Sequence, residues 1–186
     1  MDRNLLKKII KEIGIKSRYT KEQEEQVEYM VRVLFFEVVK IILLLVLFLI
    51  TGYIKEGFVV LVCMILTKPF IGGYHEKTQI KCFFSTLIIT SMIIILSMRC
   101  ELDFFSIIIL NLFSIFIVYN RAPILDSNMP ITRVDLINKN RKIGVSITVF
   151  LALLSIGIFN LGEYSEIIVW TMLVDASLMF NKRNIN

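Results

Sequence analysis

One histidine occurs in the chain, His75, and it stands seven residues before a cysteine in GGYHEKTQIKC, residues 72–82. A thiol with an imidazole in reach is the minimum equipment for nucleophilic attack on an amide or ester carbonyl. An imidazole titrates near neutrality and can give or take the proton. Cys82 falls where a loop turns into an apolar stretch. If a helix starts there, its unpaired N–H groups and dipole favour the thiolate, and Lys77 and Lys81 add positive charge. Gly72 and Gly73 add backbone freedom, through which a peptide could approach or N–H groups could turn towards an oxyanion.

Geometry sets a condition on this pair. Seven residues of straight helix would put His75 and Cys82 on one face but about 10 Å apart along the axis. A direct hydrogen bond needs roughly 3 Å. The dyad therefore requires a bend, which the glycines and the Thr78–Gln79 step should mark. Other readings stay open at this level. A loop histidine is commonly solvated, and a cysteine at the end of an apolar stretch is commonly a small packing residue. Zinc is a weaker reading, because one histidine and one cysteine fall short of its three or four ligands. No metal and no cofactor is expected.

The elements that must position the pair are membrane helices. The 186 residues are 56% hydrophobic, and the mean hydropathy is +0.72. A soluble domain of this length would leave much of that surface in water. Val38–Ile54, Cys82–Met98, Phe104–Tyr119, Ile143–Leu161 and Tyr164–Phe180 read as spans, and Gly57–Ile71 as a shorter sixth, interrupted by Lys68 and Pro69. The expected fold class is an all-α polytopic membrane protein of six transmembrane helices, with both termini cytoplasmic. The expected organisation is one membrane-embedded domain over residues 1–186. Residues 1–37 form cytoplasmic and interfacial helices and 38–180 the bundle. Residues 68–82 carry the reactive loop, and 121–142, with Pro123 and Pro130, form a cytoplasmic loop. No cleavable signal segment is visible, because the first 37 residues are charged. The three cysteines suggest no disulfide framework.

Loop charge fixes the expected orientation. With six spans and the N-terminus inside, eighteen Lys/Arg lie on the inner side, Lys55 and Arg99 lie outside, and Lys40 is in the membrane. If the short second segment were re-entrant, nine would be inside and eleven outside. Positive loops are held in the cytoplasm during insertion, so the six-span arrangement wins. His75 and Cys82 then face the cytoplasm. The net charge of +5 belongs to this asymmetry and not to a nucleic-acid partner.

In NLLKKIIKEIGI, residues 4–15, Leu5, Leu6, Ile9, Ile10 and Ile13 share a helical face opposite Lys7, Lys8, Lys11 and Glu12. That pattern suits a helix lying on an anionic bilayer surface. Thr20 and Gln23 form a capping-box pattern, from which a helix should run into the first span. Lys40 should snorkel or pair with Glu37. Asp175 reads as a structural acid about five residues, roughly 7–8 Å, from the cytoplasmic end of its span, within reach of water or Lys182. Cys63 and Cys100 read as packing residues.

The stretch GGYHEKTQIKC resembles the central motif of the AgrB family, membrane peptidases of Gram-positive accessory gene regulator quorum-sensing systems. APILDSNMPI, residues 122–131, resembles the family's second, cytoplasmic-loop segment. The resemblance implies His75 and Cys82 as catalytic residues and Gly73 as a glycine needed for activity, with Gly72 beside it in a supporting role. Lys68 falls where members often carry arginine; it keeps the charge without the planar fork. The implied function is a cysteine endopeptidase of a bacterial cell membrane. It would cut a small AgrD-like propeptide near its C-terminus and assist formation of a cyclic quorum-sensing signal, with homodimerisation an open arrangement. The competing function is a peptide transporter without proteolytic activity. Transporters usually show repeated halves or several polar residues near the midplane, whereas here only Asp175 and Asn111 stand out, and neither sits in a Gly/Pro-broken helix.

The orientation is tested by cysteine labelling on a thiol-free background. Probes at Gln79 and Asn138 should be shielded from an impermeant reagent in intact cells, while one at Glu56 reacts. Labelling of Gln79 from outside would put the reactive loop on the opposite face.

Overall fold

The computed structural model describes residues 21–72, 78–124 and 134–180, and for 21–26 and 28–30 the backbone alone. Six α-helices follow one another: α1 Lys21–Thr51, α2 Ile54–Ile71, α3 Gln79–Arg99, α4 Phe104–Arg121, α5 Val134–Gly157 and α6 Glu163–Leu178. A short 3-10 turn, Phe159–Leu161, leads into α6. No β-strand forms among the described residues, as the all-α reading of the sequence expected.

The chain divides into two compact units, Met1–Leu44 and Leu45–Asn186. The described part of the first is the start of α1, which begins at Lys21, where the capping-box pattern puts a helix start; Thr20 and the expected surface helix lie outside the described residues. Lys40 pairs with Glu37 at 2.6 Å, as its sequence position implied.

In the second unit α6 is the central helix. It packs against α2, α3, α4 and α5, and it buries Ser165, Glu166, Ile167, Ile168, Val169, Thr171, Met172, Asp175 and Ala176. Two apolar clusters surround it. Cys63, Leu151, Ala152, Ile168 and Met172 form one. Ile71, Ile117, Val118, Ala122, Ala176 and Met179 form the other, gathering the C-terminal ends of α2, α4 and α6, with Val145 of α5 and Ile124 packed on it. Gly144 lets α5 approach the end of α2 closely: a Cβ there would lie 2.9 Å from Ile71 Cγ2. Small residues at such crossings bring helix backbones together where apolar solvent offers no hydrophobic drive.

Four helices are long and apolar enough to cross a membrane: Val31–Thr51 of α1, α3, α4 and α5. The other two expected spans are real helices with a different character. α6 has 16 residues and is largely buried, while α2 carries Lys55, Glu56 and Lys68 in 18 residues. The expected interruption at Lys68 and Pro69 is absent. α2 runs through Pro69 and ends at Ile71. Proline's missing N–H leaves one carbonyl of the preceding turn without its helical donor, and so close to the helix end the chain absorbs the loss.

Polar links tie the helices together. Asn111 of α4 donates to Ser155 Oγ of α5 at 2.8 Å, and Ser165 of α6 donates to the Ser155 carbonyl at 2.8 Å. Glu166 accepts a hydrogen bond from Leu102 N at 3.0 Å, holding the turn between α3 and α4 to the start of α6. Most remaining buried hydroxyls, including Thr90, Thr148 and Thr171, bond back to their own helix carbonyls four residues earlier. Of the cysteines read as packing, Cys63 is buried, but Cys100 caps α3 and is exposed, because the helix ends there before the turn to Asp103.

Gly144→Val should lower the thermal stability of the detergent-solubilised protein by about 1–3 kcal/mol through overpacking against Ile71. Gly157→Ala, where a Cβ meets open space, should stay within about 0.5 kcal/mol of the wild type. Equal melting temperatures for the two variants would remove the close α2–α5 crossing from the account.

Candidate functional site

Cys82 lies in the first turn of α3 and is half-buried. Its N–H bonds to the Thr78 carbonyl at 3.0 Å. Thr78 is the N-cap: its backbone is extended, and its hydroxyl accepts from Lys81 N at 3.4 Å. A threonine suits this position, since its oxygen serves a helix N–H that has no partner in the preceding turn. The cap therefore lies four residues before the thiol and the helix starts three before it, with Lys81 exposed beside it.

α2 has already ended at Ile71. Residues 72 and 78 both leave the helical conformation, Gly72 at φ 72° and Thr78 at φ −125°. Helical conformation is thus broken at both expected places, so α2 does not run on unbroken into α3. His75 and Gly73 lie outside the described residues.

Gly72 has a stricter role than loose freedom. Its φ lies in the region that L side chains rarely adopt, and a Cβ would collide with the Ile124 carbonyl oxygen. Gly72 and Ile124 form an isolated parallel bridge, and Ile124 N donates to the Ile71 carbonyl at 2.9 Å. The start of the second loop is thereby pinned against the start of the first. Spacing in the sequence could not have found this contact, because the two residues belong to different helix ends.

Two arginines hold the same end of the bundle. Arg141 of α5 donates to the Tyr119 carbonyl in the last turn of α4 at 2.7 Å, and its guanidinium lies 5.1 Å from the Tyr119 ring centre. Arg121 stacks 4.5 Å over the Phe180 ring. Both are cation–π arrangements of a kind that rigidifies helix ends.

Lys68, the remaining candidate, lies on the last turn of α2, half-buried, and its carbonyl accepts from Gly72 N at 3.0 Å. Asp175 is 3% exposed, so the expected reach of water is overturned: α2 covers it, and Thr67 donates to its Oδ2 at 2.7 Å. Sequence reasoning missed both this pairing and the burial of Glu166. The signal for Glu166 was an acid following Gly162 in the first turn of an otherwise apolar helix; for Thr67 there was none.

Gly72→Ala should disturb the loop start, at a cost of about 1–2 kcal/mol for the backbone alone and more for the collision with Ile124. Limited proteolysis between residues 72 and 79 should quicken several-fold in the folded variant. Wild-type protease resistance would mean that the bridge does not hold the loop.

Comparison with known proteins agrees with the whole length of this architecture. A family model, AgrB: Accessory gene regulator B, matches residues 3–180. The protein named "Putative AgrB-like protein 1" of Clostridium perfringens (strain 13 / Type A) is 45% identical over 180 residues, covering 97% of this chain and 96% of its own. No solved structure matches. The match to the family model spans the apolar helices, the bend before Cys82 and the second loop together, and on that ground the chain belongs to the accessory gene regulator B family.

Proposed function

We propose that this protein is a membrane cysteine endopeptidase that cleaves a small, membrane-associated propeptide near its C-terminus. Cys82 is the nucleophile and His75 its acid–base partner. The observation that carries the reading is the break between α2 and α3: a new helix starts at Gln79, three residues before Cys82, so the roughly 10 Å separation that one continuous helix would impose does not apply.

In the proposed reaction the Cys82 thiolate attacks the scissile carbonyl, the C–N bond breaks, and His75 delivers a proton to the leaving amine. An acyl-enzyme thioester remains. Attack by water releases a trimmed linear peptide, whereas attack by a Cys or Ser side chain of the bound peptide releases a ring and regenerates the thiol. A site at the membrane surface holds both reactants together and limits water, which favours the ring.

Charge distribution supports a cytoplasmic site in a six-span bundle. Lys68, Lys81, Arg121 and Arg141 cluster towards the end of the bundle where the two loops meet, against Lys55 and Arg99 at the other. Membrane insertion itself is supported by the four long apolar helices. The amphipathic pattern of residues 4–15 offers a surface for an amphipathic peptide partner.

A peptide exporter is the second reading, favoured by the buried Asp175 and Asn111 within the bundle. Product analysis separates the two. Co-expressed with the propeptide, Cys82→Ser and His75→Ala should each lose nearly all cleavage, because members of one catalytic unit do not contribute additively. Cys63→Ala and Cys100→Ala should change it little, and removal of residues 1–15 should weaken processing more than membrane insertion. Wild-type cleavage by His75→Ala would end the dyad reading, and uncleaved peptide outside the cell would favour export.

A further inference from the structure

Arg141 is a charged side chain that the proposed reaction does not use. Its guanidinium lies 5.1 Å from the Tyr119 ring centre, and one of its nitrogens donates to the Tyr119 carbonyl at 2.7 Å. Ring and carbonyl together hold it at the α4–α5 contact, just outside the apolar part of α5 that begins at Ile143. No acidic partner neutralises it among the described residues. A guanidinium held in this way keeps N–H groups free, in the planar array that suits a phosphate.

Tyr119 also ends a stripe. Phe105, Ile109, Leu112, Phe116 and Tyr119 follow one another at alternating spacings of four and three, and each is more than half exposed. That spacing puts all five on one face of α4. The stripe is about 21 Å long, more than the roughly 15 Å that half of a bilayer core provides. Lys139 and Lys142, exposed at the same end of α5, add positive charge where the stripe ends.

We propose that α4 and α5 form a binding site for an anionic phospholipid, with its phosphate on Arg141 and an acyl chain along the α4 stripe. The two lysines oppose a headgroup that carries its own ammonium, so the site selects an anionic lipid over a zwitterionic one. A second copy of the chain fits the stripe less well. Two copies inserted in one orientation and meeting stripe to stripe about a two-fold axis would set Arg141 against its twin. The inference rests on membrane insertion and is independent of the peptidase reading.

Arg121 supplies an internal control. It stacks 4.5 Å over the Phe180 ring at the same end of the bundle, yet no large apolar residue of α6 is exposed beneath that ring. It has the cation and the ring without a track for a chain.

Native mass spectrometry of the full-length protein released from detergent, with phosphatidylglycerol or phosphatidylcholine of the same acyl chains added, reads the site directly. The wild type should retain phosphatidylglycerol about fivefold better than phosphatidylcholine, and Arg141→Gln should bring the two within about twofold. Arg141→Lys, which keeps the charge and loses the fork, should fall between. Arg121→Gln should match the wild type. The double variant Leu112→Ser, Phe116→Ser should retain less phosphatidylglycerol, and excess glycerol phosphate should not displace the lipid.

Equal retention of the two lipids by the wild type would overturn the proposal. So would a loss in Arg121→Gln as large as in Arg141→Gln, which would reduce the effect to net charge. Displacement by glycerol phosphate would make this a site for a soluble phosphate. A lipid-free dimer that the stripe variant abolishes would assign the stripe to a second copy. Either result rejects the lipid. Because Arg141 also holds the end of α4, Arg141→Gln could fail to fold; the stripe variant then decides, and wild-type retention by it rejects the proposal.

Discussion

The central helix α6 carries a buried acid near each end, and the second unit is organised around satisfying them. Glu166 takes the backbone N–H of Leu102 from the turn between α3 and α4. Asp175 takes the hydroxyl of Thr67 from the last turns of α2. An acid in an apolar surround must find donors, and the only groups available are those of neighbouring helices. The helices that pack on α6 are therefore held by directional bonds at both ends, with apolar contact between. In lipid, where apolar packing gives no hydrophobic drive, such bonds and close small-residue crossings decide which helices adjoin.

The end of the bundle from which both loops leave shows how this geometry is passed on. Ile71, Ala122, Ala176 and Met179 meet in one cluster, and the chain leaves it at Gly72, whose backbone conformation and lack of Cβ admit the Ile124 carbonyl. Two loops that are far apart in sequence are thus started from a common point. Arg141 on Tyr119 and Arg121 on Phe180 stiffen the same end. Cys82 enters on a separate helix whose start is set by the Thr78 cap.

Helices of similar composition also differ in how much apolar surface they expose. α3, α4 and α5 are long and expose large apolar residues such as Ile88, Phe105 and Leu153. α6 is shorter and covered by its neighbours, while α2 is more polar and still exposes Phe58, Ile65 and Leu66. Polar residues on covered helices cost little when bonded within the bundle, whereas the same residues facing lipid would be left without partners. That division explains why Thr67, Asp175 and Glu166 all sit on the two helices least able to cross a membrane by themselves.

The sequence by itself determined the helical class, the family, the place of the bend before Cys82 and the approximate bounds of the apolar helices. These are local or compositional properties: hydropathy over a helix length, a threonine cap, a glycine pair, a motif. It could not separate exposed from covered helices, because both are apolar all round and carry no usable periodicity. It therefore read Asp175 as water-accessible and left Glu166 unremarked. Only the tertiary structure decided that Thr67 bonds Asp175, that Ile124 closes on Gly72, and that Gly144 admits the end of α2. Each is a contact between distant helices, set by crossing geometry and by the need of buried polar groups for donors.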